Sequence, residues 1–228
     1  MVSVQNITIA FGNKVILKDY SELFPTNTIC CIVGPSGCGK TSLIRCISGL
    51  TRPKTGEILV NGKRVTKPHQ DIALMCQGYT VFPWLTVLGN MLFVEKMKKK
   101  SIKSMFINQQ GLDQSTLVGP ETKAQVISRA SVLLERVGLL NDRNKYPHEL
   151  SGGMRQRLAM SMALMQRPRV LLMDEPMSAL DAENRKNLQD FLIEFNNTNK
   201  ESQIIVVTHS MDEAEFLSEH GNGKIVRL

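Results

Sequence analysis

Gly34-Pro35-Ser36-Gly37-Cys38-Gly39-Lys40-Thr41 places three glycines, a lysine and a hydroxyl in the pattern G-x-x-x-x-G-K-[ST]. The run follows an apolar stretch, Ile29 to Val33, and opens a helix-compatible one, Ser42 to Ser48. Glycine admits backbone conformations closed to other residues, so consecutive N–H groups can turn inward on phosphate oxygens at a positive helix N-terminus. Lys40 then supplies a point charge to the phosphates, and the Thr41 hydroxyl can ligate Mg²⁺.

A second chemical pair, Asp174-Glu175, ends the run Val170-Leu171-Leu172-Met173 and precedes Pro176. A run this continuously apolar reads as a buried parallel strand whose acids emerge at its carboxyl end, where ligand sites of open α/β sheets lie. Asp174 fits a holder of the Mg²⁺ shell, and Glu175 fits a general base toward an attacking water. Between the two, Leu150-Ser151-Gly152-Gly153-Met154-Arg155-Gln156-Arg157 carries an N-cap serine and paired glycines. Leu158, Met162 and Met165 follow at helical spacing, so this segment presents a helix N-terminus suited to an anion.

These three motifs, in this order, resemble the Walker A, signature and Walker B motifs of the ATP-binding cassette (ABC) ATPases. The resemblance covers nearly the whole chain. Gln77 resembles the Q-loop glutamine that completes the Mg²⁺ shell with Thr41 and Asp174. Ser178-Ala179-Leu180-Asp181 resembles the D-loop, and His209, after Ile204 to Thr208, resembles the switch histidine. Phe11 stands where the family places an aromatic ring against adenine; alternation with Ile7 and Ile9 alone would put it in the core.

The resemblance implies an α/β fold: a P-loop NTPase core of RecA-like type, with an N-terminal antiparallel β subdomain and an inserted α-helical subdomain. Residues 1–81 and 166–228 would form the core, and residues 82–165 the helical part, with a basic loop over 96–120. ATP would be held by Phe11, by the loop from Gly34 through Thr41 to Ser42, and by Ser151, Gly152, Gly153 and Asp181. Lys40, Gln77, Glu175 and His209 would act catalytically. The signature would meet ATP on the other subunit, making the unit a head-to-tail homodimer or heterodimer of ATPase subunits. An integral membrane permease and a separate solute-binding protein are the other implied partners, at the cytoplasmic face of the cell membrane.

Phe82-Pro83-Trp84-Leu85-Thr86-Val87 and Tyr146-Pro147-His148-Glu149 look similar to the nitrate, sulfonate and taurine importer group. Those short motifs are widely shared, and an ATPase of an exporter, lipoprotein-release or cell-division complex is the alternative reading. A non-hydrolysing scaffold would need neither Glu175 nor His209, and the chain lacks the second cassette or coiled-coil insertion of non-transport relatives.

The elements around these motifs are partly legible. Asn61-Gly62 between Glu57 to Val60 and Lys63 to Val65 marks a β-hairpin. Ile72 to Cys76 reads as a strand delivering Gln77. A helix from about Glu121 would carry Ile127, Ser131, Leu134 and Val137 on one face, and Leu188, Phe191, Leu192 and Phe195 mark another. Residues 95–121 exceed the family's usual connection by about twenty residues and have a loop-like composition. The expected last strand is nearly absent from the pattern, since Leu217 to His220 runs into Gly221-Asn222-Gly223. An appended C-terminal regulatory domain is therefore not expected.

In composition, 228 residues with 42% hydrophobic content suffice for one α/β unit. No stretch is long and apolar enough to cross a bilayer, and no signal sequence opens the chain. Five cysteines without a C-x-x-C pair suit a reducing compartment. The net charge of +7 is concentrated at Lys96, Lys98, Lys99, Lys100 and Lys103. Without interleaved aromatics, that cluster fits a solvated or headgroup-facing loop better than nucleic acid.

Overall fold

A computed structural model describes residues 1–76, 81–107 and 122–228, with backbone alone over 98–107. Two compact units result, one of residues 1–78 with 168–228, the other of residues 79–167.

The first unit holds two sheets. Strands β1 (Val2–Phe11), β2 (Lys14–Phe24), β4 (Thr55–Val60) and β5 (Lys63–Arg64) form an antiparallel sheet in the order β2-β1-β4-β5. Its hairpin turns at Asn61 and Gly62, both left-handed with φ of 50° and 74°, as a two-residue turn matched to strand twist requires. Strands β6 (Ile72–Met75), β7 (Val170–Asp174), β8 (Gln203–Thr208), β3 (Ile29–Val33) and β9 (Ile225–Arg227) form a parallel sheet in that spatial order. Every residue of β3, β7 and β8 is buried, which explains why these strands are apolar without alternation. Helix α1 (Lys40–Ile47) packs against both β1 and β7, so Leu43, Ile44 and Ile47 join Ile7, Ile9, Ile58, Leu172 and Val207 in one core.

Strand β9 is formed where the sequence pattern left the last strand in doubt. Gly221 and Gly223 let the chain lie directly on Ile29, where a Cβ at either position would collide with that residue, and Ile225 to Arg227 then pairs beside Cys31 to Val33. Three residues are too few for a readable pattern.

The second unit packs α2 (Val87–Ile107), α3 (Lys123–Arg136) and α4 (Gly152–Met165) pairwise. Lys96 to Ile107 is helical, against the loop expected there, because no glycine or proline interrupts the chain from Asn90 to Ile107. The side chains of Lys98, Lys99, Lys100 and Lys103 lie outside the described residues. In α3 the buried face is Val126, Ala130, Leu134 and Val137, one position round from the expected Ile127 and Ser131, which are half-buried. Thr122 caps this helix through a reciprocal pair of bonds with Gln125. Arg129 and Glu95 join α3 to α2 by an ion pair of 3.0 Å. Helices α5 (Ala182–Thr198) and α6 (Met211–His220) belong to the first unit, and α5 buries Leu188 and Leu192, with Phe191 and Phe195 half-buried beside them.

Candidate nucleotide site

Strand β3 delivers Gly34 to the start of α1, and the loop between them closes on itself. Gly37 and Gly39 take φ of 82° and 111°, and a Cβ on Gly39 would meet Ile16 Cγ2 at 2.8 Å. Those glycines are therefore required by geometry. Lys40 is nearly buried, and its ammonium donates to the carbonyls of Gly34 at 2.7 Å and Pro35 at 2.9 Å. Ser36, Gly37, Gly39, Lys40, Thr41 and Ser42 line a cavity of about 280 Å³, together with Ile16 and Glu175. Pro35 and Cys38 complete the loop at its edge, and the Cys38 N–H donates to the Pro35 carbonyl.

Strand β7 brings Asp174 beside this loop. Its carboxylate, 3% exposed, is hydrogen-bonded to Thr41; burial raises its pKa, while the Thr41 bond and the Lys40 charge oppose that rise. A hydroxyl and a carboxylate are the hard oxygen ligands that Mg²⁺ takes beside waters and phosphates, so this pair fits the ion. No cluster of three or more histidine, cysteine or acidic side chains suited to a metal occurs among the described residues. Magnesium bound mainly through phosphate needs no such cluster.

Glu175 is the residue the fold treats most unusually. It is left-handed at φ 50°, with its N–H donating to the Val207 carbonyl at 2.9 Å. Such a conformation costs a non-glycine residue roughly 1–3 kcal/mol and persists where surrounding structure imposes it. It turns the carboxylate into the cavity, 3.7 Å from His209 Nδ1. His209, at the end of β8 and 64% exposed, faces the loop from its other side, lining a second cavity with Gly34, Pro35 and Ser36.

Two contributors had no sequence signal as site residues. Ile16 forms one wall of the loop cavity from β2. Glu213 in α6 fixes the turn that carries His209: Thr208 Oγ1 donates to Glu213 Oε2 at 2.5 Å and accepts from the Ser210 N–H at 3.1 Å. Burial pushes the Glu213 carboxyl above its ordinary 4.5, partly offset by the Thr208 bond and by Arg185 and His209. The folded chain thus keeps this proton to higher pH than the unfolded chain. The associated stability is fully present below about pH 4.5 and is lost as pH rises through the folded value. Glu213→Gln keeps an acceptor for Thr208 and removes the titration. Its melting temperature relative to the parent should therefore rise between about pH 5 and about pH 8, as thermal unfolding at the two ends will show. A difference that stays constant with pH would contradict this.

Phe11 ends β1 and is 54% exposed, whereas Ile7 and Ile9 are buried; pairing irregularities between Ile7, Ile9 and Ala10 break the alternation that would have buried the ring. Asp181 caps α5, accepting the Asn184 N–H at 2.8 Å, and Ser178 donates to the Glu175 carbonyl. Gln77 lies outside the described residues. In the second unit, Ser151 caps α4 by accepting the Met154 N–H at 3.2 Å, and Gly152 borders open space, so the helix presents an accessible N-terminus. All five cysteines are free, and burial pushes the Cys31 and Cys46 thiols up to about 12 and about 11.

Comparison with known families decides what this arrangement belongs to: the ABC transporter family model matches residues 17–178. The chain belongs to the ABC transporter family. It is 38% identical over 208 residues to the nitrate import ATP-binding protein of Synechocystis sp., covering 91% of this chain and 70% of that one. It is also 38% identical over 223 residues to a spermidine/putrescine import ATP-binding protein of Nitrosospira multiformis, covering 96% of this chain and 55% of that protein. The dimeric structure of MJ0796, a bacterial ABC transporter cassette, superposes with a TM-score of 0.80 at 25% identity, covering 100% of this chain and 94% of that one. A post-hydrolysis state of the same cassette, bound to ADP and Pi, matches equally well. This ABC protein is thus a transporter's ATP-binding subunit and an ATPase, built on the P-loop NTPase fold.

Proposed function

We propose that this ABC ATPase dimerises head to tail on ATP and energises the import of a small anion through a separate membrane permease. The observation that carries the reading is the convergence of Lys40, Thr41 and Glu175 on one loop cavity, with Asp174 hydrogen-bonded to Thr41 and His209 beside Glu175. Lys40 and the loop N–H groups would hold the phosphates, with Pro35, Cys38 and Ser42 shaping the loop around them. Phe11 offers an exposed ring for adenine. Thr41, Asp174 and Gln77 would hold Mg²⁺, which supplies charge neutralisation to the phosphates. Glu175 would accept the proton of the attacking water, and His209 would hydrogen-bond the γ-phosphate. Ser151, Gly152 and Gly153 would meet the γ-phosphate of the partner subunit's ATP, with Asp181 close to that junction.

Import is favoured by relatives named for nitrate and spermidine/putrescine import, and the anion by the Phe82 to Val87 and Tyr146 to Glu149 motifs. No helix among the described residues is long and apolar enough to cross a membrane, so attachment would come through the permease, at the cytoplasmic face. Affinity purification from native membranes with mass spectrometry tests this reading. A permease together with a solute-binding protein is the expected result, and a permease recovered without one would assign the chain to an exporter or release complex.

Trp84 is the proposed permease contact. It is 68% exposed on a segment held by fully buried Asn90, whose Oδ1 accepts the Phe82 N–H at 2.7 Å and whose Nδ2 donates to the carbonyls of Leu85 and Thr86. Phe82 supports the indole from 5.6 Å and rests on Phe93 at 4.7 Å between ring centres. A rigidly held, exposed tryptophan suits a binding hot spot. Trp84→Ala should weaken permease attachment by about 2 kcal/mol or more while leaving the unfolding midpoint unchanged. Pull-down beside thermal unfolding checks it; a midpoint that falls with binding would return Trp84 to a packing role.

A further inference from the structure

At the amino ends of β6 and β7, away from the nucleotide loop at the carboxyl ends of the sheet, lies a third cavity, of about 310 Å³. That volume is at the lower end of small-molecule sites. Its floor is apolar, formed by buried Val60 and Ile72 with half-buried Val65. Its rim is cationic, with Lys63, Lys67 and Arg169 all exposed and, among the described residues, with no carboxylate partner. Arg64 is also on the rim but is paired with Glu57 at 3.4 Å.

Among the described residues, the only acid on the lining is Asp71, one negative charge set against the three cations; its N–H donates to His69 Nδ1 at 3.2 Å. With Nδ1 accepting, the neutral ring carries its proton on Nε2, one more donor on the lining. Three unpaired cations around one small cavity repel one another, and an anion among them relieves that repulsion. An inorganic ion would use the rim alone. The apolar floor calls for an anion with a carbon body, and a doubly charged oxyanion best answers an arginine and two lysines.

We infer that this cavity binds a phosphomonoester, its phosphate on Lys63, Lys67 and Arg169 and its organic part on Val60, Val65 and Ile72. The site lies at the opposite end of the sheet strands from the nucleotide loop, and it stands or falls independently of the transport reading.

Phenyl phosphate is the probe, titrated calorimetrically into full-length chain carrying Lys40→Ala, so that the nucleotide loop does not take up phosphate. Binding at about 1 mM or tighter is expected, weakened at least about tenfold by Lys67→Ala with Arg169→Ala. A control pair, Lys186→Ala with Lys200→Ala, removes the same charge from exposed positions elsewhere and should leave binding unchanged. Phosphatidic acid vesicles supply the same chemistry from a lipid. Sedimentation with vesicles that is lost with the cavity pair, without phenyl phosphate binding, assigns the phosphomonoester to a headgroup. No binding of either probe, or equal loss in the control pair, overturns the inference.

Discussion

Glu175→Gln should lower ATP hydrolysis at least about 10²-fold, equivalent to about 2.7 kcal/mol of barrier, while leaving ATP binding intact. The substitution keeps the volume and the hydrogen-bonding reach of the side chain but removes the group that accepts a proton. Nothing else at the position need change, because the left-handed backbone of Glu175 is imposed by its neighbours, through the N–H bond to Val207. The ATP-bound chain should then accumulate as a dimer, visible by size-exclusion chromatography. His209, whose Nδ1 lies 3.7 Å from the carboxylate, is the competing base. Comparison with His209→Ala separates the two. Hydrolysis at the parental rate in Glu175→Gln, with loss in His209→Ala, would move the base to the histidine.

The chemistry of the site was legible in the sequence where residue type and backbone geometry are coupled. Gly37 and Gly39 are left-handed, so few other residues could stand there, and Lys40 and Thr41 follow at fixed offsets. Strand β7 was legible for a related reason: a strand covered on both faces has no polar register, and Asp174 is conspicuous at its end. What stayed hidden depends on tertiary packing. Alternation with Ile7 and Ile9 alone would bury Phe11; the family resemblance and not the pattern marked its ring, which pairing irregularities in β1 leave exposed. Asn90 and Glu213 look like ordinary helix residues, and only their burial against the Phe82 to Thr86 turn and against Thr208 gives them positioning roles. The three residues of β9 form a strand because two glycines let them approach β3, a condition that no periodicity records. Lys96 to Ile107 read as a loop from its charge, although lysine is a good helix former and nothing in the segment ends a helix.

Ser151→Arg should abolish hydrolysis in a dimer of identical chains without impairing nucleotide binding by the loop at Gly34 to Thr41. Ser151 is exposed, and its hydroxyl caps α4 through the Met154 N–H, so arginine would remove the cap and place bulk and charge where a phosphate is to approach. Loss of the cap alone costs about 1 kcal/mol, too little to unfold a domain but enough to register in thermal unfolding. The decisive measurement mixes two defective chains, one Ser151→Arg and one Lys40→Ala. In a head-to-tail dimer, the loop of the Ser151→Arg chain, with Lys40 intact, faces the intact Ser151 of the other chain, while both lesions fall together in the second site. One complete site is thereby reassembled from two inactive proteins, and partial hydrolysis should return. If loop and signature instead acted within one chain, each site of the mixed dimer would keep one lesion and no activity would return. Hydrolysis in verified mixed dimers therefore reads out which chain completes the site.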